Sequence, residues 1–101
     1  MQDYKTIEKY ATIHVLEQIM QADTIVHPKE LEYMDEVYEK LSITPDAFDH
    51  MELMDLQTAK TIIGKMTNTQ QNEVRQLFET MCAIDGFVDN RELLVIDSIF
   101  K

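Results

Sequence analysis

Asp23 and Glu30 stand seven residues apart, and so do Asp85 and Glu92. Both pairs lie in one framework, D-x-x-V-x-x-x-E-L, first over residues 23–31 and again over 85–93. Carboxylate oxygens are hard ligands. An Asp and a Glu brought together from a loop and the helix that follows it suit a divalent cation such as Ca²⁺ or Mg²⁺. Asp89 adds a third acid to the second copy. The same residues admit a structural reading. Asp89-x-x-Glu92 has the spacing of a capping box, with Asp in place of Ser or Thr. Glu30 holds the same place behind His27, which is a weaker cap. Asp23 and Asp85 fall at the C-terminal ends of helices, where the macrodipole disfavours a carboxylate by about 0.3–1 kcal/mol. An Asx-type turn offsets that cost, and so does a cation. The two readings are compatible, and both stand.

The framework belongs to a longer internal repeat. Residues 12–38 and 74–100 align without a gap at a separation of 62 positions. Six pairs are identical: Glu17/Glu79, Asp23/Asp85, Val26/Val88, Glu30/Glu92, Leu31/Leu93 and Asp35/Asp97. Apolar residues also match, among them Val15/Leu77, Leu16/Phe78, Ile19/Met81, Met20/Cys82 and Met34/Ile96. A repeat fixes architecture before any other signal. This one predicts a helix–loop–helix unit used twice, with residues 43–66 as the insert between the copies and an approximate two-fold axis relating them.

The elements that must position the acids follow from periodicity. A first helix is expected over residues 3 to about 22, with Val15, Leu16, Ile19 and Met20 as its stripe. Pro28 suits the first position of a second helix, where its missing N–H costs nothing. Leu31, Met34, Val37, Tyr38 and Leu41 form that helix's expected core face. Ile43-Thr44-Pro45-Asp46 signals a short helix over about 45–54. Asp55 can cap the next helix, and Thr67-Asn68-Thr69 supplies a break and caps for another. Val74, Leu77, Phe78, Met81 and Cys82 give a clean i, i+3, i+4, i+7, i+8 face. Asp85-Gly86 ends that helix, and Asp89 opens the last, with Leu93, Ile96, Ile99 and Phe100 inward. The expected fold is all-α: five to six short helices in a compact bundle, with residues 1–101 as one domain.

Composition narrows the function. The chain has 101 residues, with 19 acids against 9 bases and a formal net charge of −10. Such a surface repels nucleic acid and anionic lipid, and attracts cations or a basic protein partner. The single cysteine, Cys82, cannot form an internal disulfide, which fits a reducing, cytoplasmic setting. The start shows no apolar signal-peptide core, and no run reaches the length that membrane insertion requires.

Several chemistries are excluded by spacing. An EF-hand starting at Asp85 would put Phe87 at a ligand position, Asn90 where Gly belongs, and its acid at the eighth place instead of the twelfth. His14, His27 and His50 are scattered and show no zinc-ligand spacing. Asp46 and His50 read as an i, i+4 surface pair. Ser42 and Ser98 lie in no nucleophile elbow, and Gly64 and Gly86 are too few for a phosphate loop. Cys82 reads as a buried thiol. The expectation is a protein that is not an enzyme.

With these residues set out, the pattern resembles the TerB-like family, named for a bacterial tellurite-resistance protein. Its loops have the form A-D-G-x-(V/I)-x-x-x-E. Residues 83–92, AIDGFVDNRE, are similar to it, and residues 22–30, ADTIVHPKE, keep the Asp, Val and Glu. Leu41-Ser42-Ile43-Thr44-Pro45-Asp46 is also similar to a family segment. The resemblance spans essentially the whole chain. It implies a small helical fold with an internal repeat, a stress-response or metal-linked role, and a cation held by Asp85, Glu92 and Asp89. Asp23 and Glu30 would make a poorer twin, because Thr24 replaces Gly and His27 replaces a small polar cap. Related domains attached to co-chaperones imply a protein-interaction role as the alternative.

Gly86 generates the first test. At the end of its helix it is expected to take positive φ, where a Cβ clashes. Gly86→Ala should therefore cost on the order of 1 kcal/mol or more, read as a fall in melting temperature.

Overall fold

The computed structural model describes residues 4–22, 28–44, 54–84 and 90–100. Among them are five helices and no strand: α1 (Thr6–Ala22), α2 (Pro28–Lys40), α3 (Leu56–Gly64), α4 (Asn68–Ala83) and α5 (Asn90–Ile99). The all-α expectation holds for these residues.

The helices α1, α3 and α4 begin where a side chain satisfies a free amide. In α1 the Glu8 carboxylate reaches back to accept the Lys5 amide at 2.8 Å. The helix therefore starts at Thr6, three residues later than its periodicity predicts. Tyr4 lies ahead of it and is buried. Pro28 opens α2, as expected. Asp55 caps α3, its Oδ1 accepting the Thr58 amide at 2.7 Å. Thr67 caps α4 in a full capping box. Its hydroxyl accepts the Gln70 amide at 3.1 Å, and the Gln70 side chain accepts the Thr67 amide at 3.0 Å. Such a cap is worth about 1 kcal/mol.

At the other end of α2 the chain closes a Schellman turn. The Ile43 amide donates to the Tyr38 carbonyl at 2.9 Å, and the Ser42 amide to the Glu39 carbonyl at 3.1 Å. Ser42 takes the left-handed conformation at φ 52°, the place where Gly is usual. The short helix expected over 45–54 lies outside the described residues, save for Met54, which is not helical.

The core gathers around α1, which meets α3 most extensively, then α4 and α5. Ala11, Thr12, Ile13, Val15, Leu16 and Ile19 are all fully buried. That run covers most of the helix circumference, as in a helix surrounded by others. Thr12 is tolerated there because its hydroxyl donates to the Glu8 carbonyl at 2.9 Å. The α4 stripe of Val74, Leu77, Phe78, Met81 and Cys82 is buried as expected, and Ile96 and Ile99 bring α5 onto it.

Four of the apolar pairs matched by the 62-residue offset are buried alike, Val15 and Leu77, Leu16 and Phe78, Ile19 and Met81, Met34 and Ile96, whereas Met20 is half-buried and Cys82 buried. The contacts between the two halves are less even. A two-fold relation would give α2 against α4 the same extent as α1 against α5, yet only the latter is substantial. The insert helix α3 is one source of the difference, since it lies against α1 and has no second copy. Val26 and Val88, the expected buried equivalents, lie outside the described residues, as does Gly86.

The second helix corrects one expectation. Leu31 is 52% exposed, and Glu30 is 2% exposed. The buried stripe is Glu30, Tyr33, Met34 and Val37, with Leu41 continuing it beyond the helix end. Those positions follow i, i+3, i+4, i+7 and i+11 without a break, and Leu31 is about 100° away from Glu30 around the helix.

Two substitutions calibrate this architecture. A Cβ built on Gly64, at the exposed end of α3, meets nothing within 4 Å. Gly64→Ala should stabilise the protein by about 0.4–1 kcal/mol, by restricting the unfolded chain. Phe78 is fully buried, and Phe78→Ala should cost about 3–5 kcal/mol. Denaturant unfolding of both variants checks the opposite signs.

Candidate metal site

The acids of the repeat frame are placed by the starts of α2 and α5. Pro28 and Asn90 are the first residues of these helices, so Glu30 and Glu92 both occupy the third helical position. The backbone register of the two copies is therefore the same at the carboxylates. A third-position glutamate can turn back to the cap residue or face away into a site. Glu30 is buried among the core-facing residues of α2, ahead of Tyr33 and Met34. Asp23, Asp85 and Asp89 lie outside the described residues, and so does the side chain of Glu92. Among the described residues, no group of three or more His, Cys, Asp or Glu is arranged to hold a metal ion.

Burial gives Glu30 its interest. An ionised carboxylate withdrawn from water costs several kcal/mol unless paired, hydrogen-bonded or metal-bound. Leucine in the next position offered an apolar alternative, and the helix is rotated so that the acid goes inward. Sequence reasoning found Glu30 as a repeated acid but missed its burial. The signal was available: positions 30, 33, 34, 37 and 41 share one face, with Glu30 at its head.

Around this helix, acids and aromatic residues close the helix pairs. Tyr38 at the end of α2 hydrogen-bonds Glu17 of α1. Burial, followed by the charges of Glu17 and Asp35, pushes the Tyr38 hydroxyl up to about 12. The offset positions in the second half are Phe100 and Glu79. There a cation bridges them. Arg75 Nε contacts Glu79 Oε1 at 3.0 Å, and Arg75 Cζ lies 5.4 Å from the Phe100 ring centroid. Phe100 also meets Phe78, with centroids 5.9 Å apart at 42°. The repeated Glu17/Glu79 identity thus serves, in both halves, to hold the aromatic residue at the end of the following helix.

Other polar anchors were not predicted. The Tyr4 hydroxyl donates to Glu73 Oε2 at 2.8 Å and lies 3.2 Å from the Gln70 carbonyl. It ties the chain ahead of α1 to α4. Burial raises the Tyr4 hydroxyl far above its usual value, and the Glu73 carboxylate adds to the rise. Tyr33 bonds Thr80 across α2 and α4, and burial raises its hydroxyl too. Asp55 is held below the usual carboxylate range, first by the Thr58 amide and hydroxyl, with His14 nearby contributing. His14 Nε2 is itself buried without a hydrogen-bond partner. Cys82 is a buried free thiol, as expected. Among the described residues, no helix is long and apolar enough to cross a membrane.

No family model, curated protein or solved structure matches this chain. The resemblance to TerB-like domains rests on the loop residues themselves.

The tyrosines generate a pH prediction. Their hydroxyls ionise at higher pH in the folded chain than in the unfolded chain, whose tyrosines titrate near 10. The unfolded state then loses protons first, so this contribution is complete below about pH 10 and falls as pH rises toward 12. Melting temperature should drop across that window. Tyr38→Phe should lessen the slope, as followed by circular dichroism against pH.

Proposed function

We propose that this chain is a non-enzymatic, TerB-like helical module of the cytoplasm that binds a divalent cation at an acidic patch formed by the two repeat loops. Its role would be of the bacterial stress-response or tellurite-resistance type. The single observation that carries the reading is the buried Glu30, in helical register with Glu92, at the start of the helix that follows its loop. A cation would supply the positive charge that such a carboxylate favours, and Asp85, Asp89 and Asp23 would supply the remaining oxygens. The net charge of −10 favours cation capture over the binding of any polyanion.

The alternative reading is a protein-interaction scaffold of co-chaperone type whose acidic face docks a basic partner without metal. One observation favours it. Leu31 is 52% and Leu94 66% exposed, so an apolar side chain stands in solvent on each second helix of the repeat. Apolar anchors within a charged surround are the usual composition of a contact surface.

Melting curves separate the two. If Ca²⁺ or Mg²⁺ binds the folded state, it stabilises it by about 2.7 kcal/mol at a hundredfold excess over Kd. That gain should vanish in Asp85→Asn, which keeps the size and most of the turn hydrogen bonding. A wild-type curve indifferent to millimolar calcium, magnesium and chelator would exclude the cation reading and leave the acidic face as a docking surface.

A further inference from the structure

Away from the acidic loops, the beginning of α1 and the turn that closes α2 enclose a cleft of about 200 Å³. It is lined by Thr6, Lys9, Tyr10, Ser42, Ile43 and Thr44. Five of these six side chains are polar, and the one formal charge among them is positive. In a chain of net charge −10, that is the reverse of the prevailing surface. Long-range repulsion does not decide the matter, because salt screens charges beyond roughly 8 Å at physiological ionic strength. The groups inside the cleft decide it.

We propose that this cleft binds a small phosphate anion, either free phosphate or the head of a small phosphomonoester. Lys9 supplies a point charge of the kind that phosphates favour. Among the described residues, no carboxylate forms an ion pair with it. Among the described residues, the hydroxyls of Thr6, Ser42 and Thr44 have no hydrogen-bond partner. Three hydroxyls and an ammonium match a tetrahedral anion with several acceptor oxygens better than a carboxylate with two. The volume sets the size, since drug-sized ligands need clefts of about 300 Å³ or more.

The charges near in sequence are mixed: Lys5 and Lys40 add positive charge, and Glu8 and Glu39 stand beside Lys9 and Lys40. The Glu8 carboxylate is engaged by the Lys5 amide, which satisfies one of the free amides at the α1 terminus. Ser42 gives a second handle. It occupies a left-handed position that Gly would fill without strain, and it is one of the residues that line the cleft.

Amide NMR of the full chain, titrated with inorganic phosphate and then with glycerol phosphate against chloride at equal ionic strength, tests the proposal. Saturable shifts are expected at Lys9, Tyr10, Ser42 and Ile43. Lys9→Gln should weaken binding about tenfold, the effect of losing one charge-assisted hydrogen bond. Ser42→Gly should raise the melting temperature yet weaken binding several-fold. Tighter binding of glycerol phosphate would identify a phosphomonoester, and equal or weaker binding would identify the free anion. The proposal is overturned if no saturable shifts occur at these residues, if shifts spread evenly over the lysines, or if Lys9→Gln and Ser42→Gly bind as the wild type does.

Discussion

The deep burial of the middle of α1 is the constraint from which the rest of the structure follows. Its fully buried residues from Ala11 to Ile19 span somewhat more than half of its circumference, so partners are needed on several sides. The helices α3, α4 and α5 each supply one. Burial on that scale removes the option of ordinary polar residues on its inner turns. Thr12 survives by turning its hydroxyl to the Glu8 carbonyl. Polar residues that do contact α1 sit at its edges: Glu8 at the start, Glu17 against Tyr38, and His14 facing the α3 cap. A helix with an apolar surround also explains why the insert between the repeat units matters to the core. Without α3, the most extensive contact of α1 would be missing.

Polar closure of the helix ends then fixes how the outer helices lie. Hydrophobic burial is non-directional and would tolerate sliding of α2 and α5 along α1 and α4. Directional contacts at Tyr38–Glu17, Tyr33–Thr80, Arg75–Phe100 and Tyr4–Glu73 resist that sliding. The exposed Arg75–Glu79 pair on its own is worth little, since solvent and side-chain entropy absorb most of the attraction. Its position over the Phe100 ring is what gives it a structural role, because the guanidinium links an α4 carboxylate to the chain end after α5. The two halves reach similar closures by different chemistry, a hydroxyl in one and a cation in the other.

Much of this was legible in the sequence, for physical reasons that differ by element. The α4 stripe was read correctly because an amphipathic period over sixteen residues leaves only one face to bury. Asp55 and Thr67 were read correctly because cap chemistry is local. Tyr4 was missed because its partners, Gln70 and Glu73, are 66 and 69 residues away, and no local pattern encodes such a contact. Leu31 was misplaced because hydropathy ranks it above Glu30. The five-position stripe from Glu30 to Leu41 outweighs that one-residue preference, since turning Leu31 inward would move Tyr33, Met34 and Val37 off the core together.

That rotation carries the strongest functional argument in the chain. Exchanging the two, leucine at 30 and glutamate at 31, would keep the composition and put the carboxyl group at the surface. The observed order does the reverse at the first turn of α2. The helix N-terminus recovers part of the cost, because a carboxylate there meets the positive end of the macrodipole, worth about 0.3–1 kcal/mol at the surface and up to about 2 when partly buried. Burial of an acid costs several kcal/mol by comparison. The difference is met by the interactions of Glu30 with its neighbours.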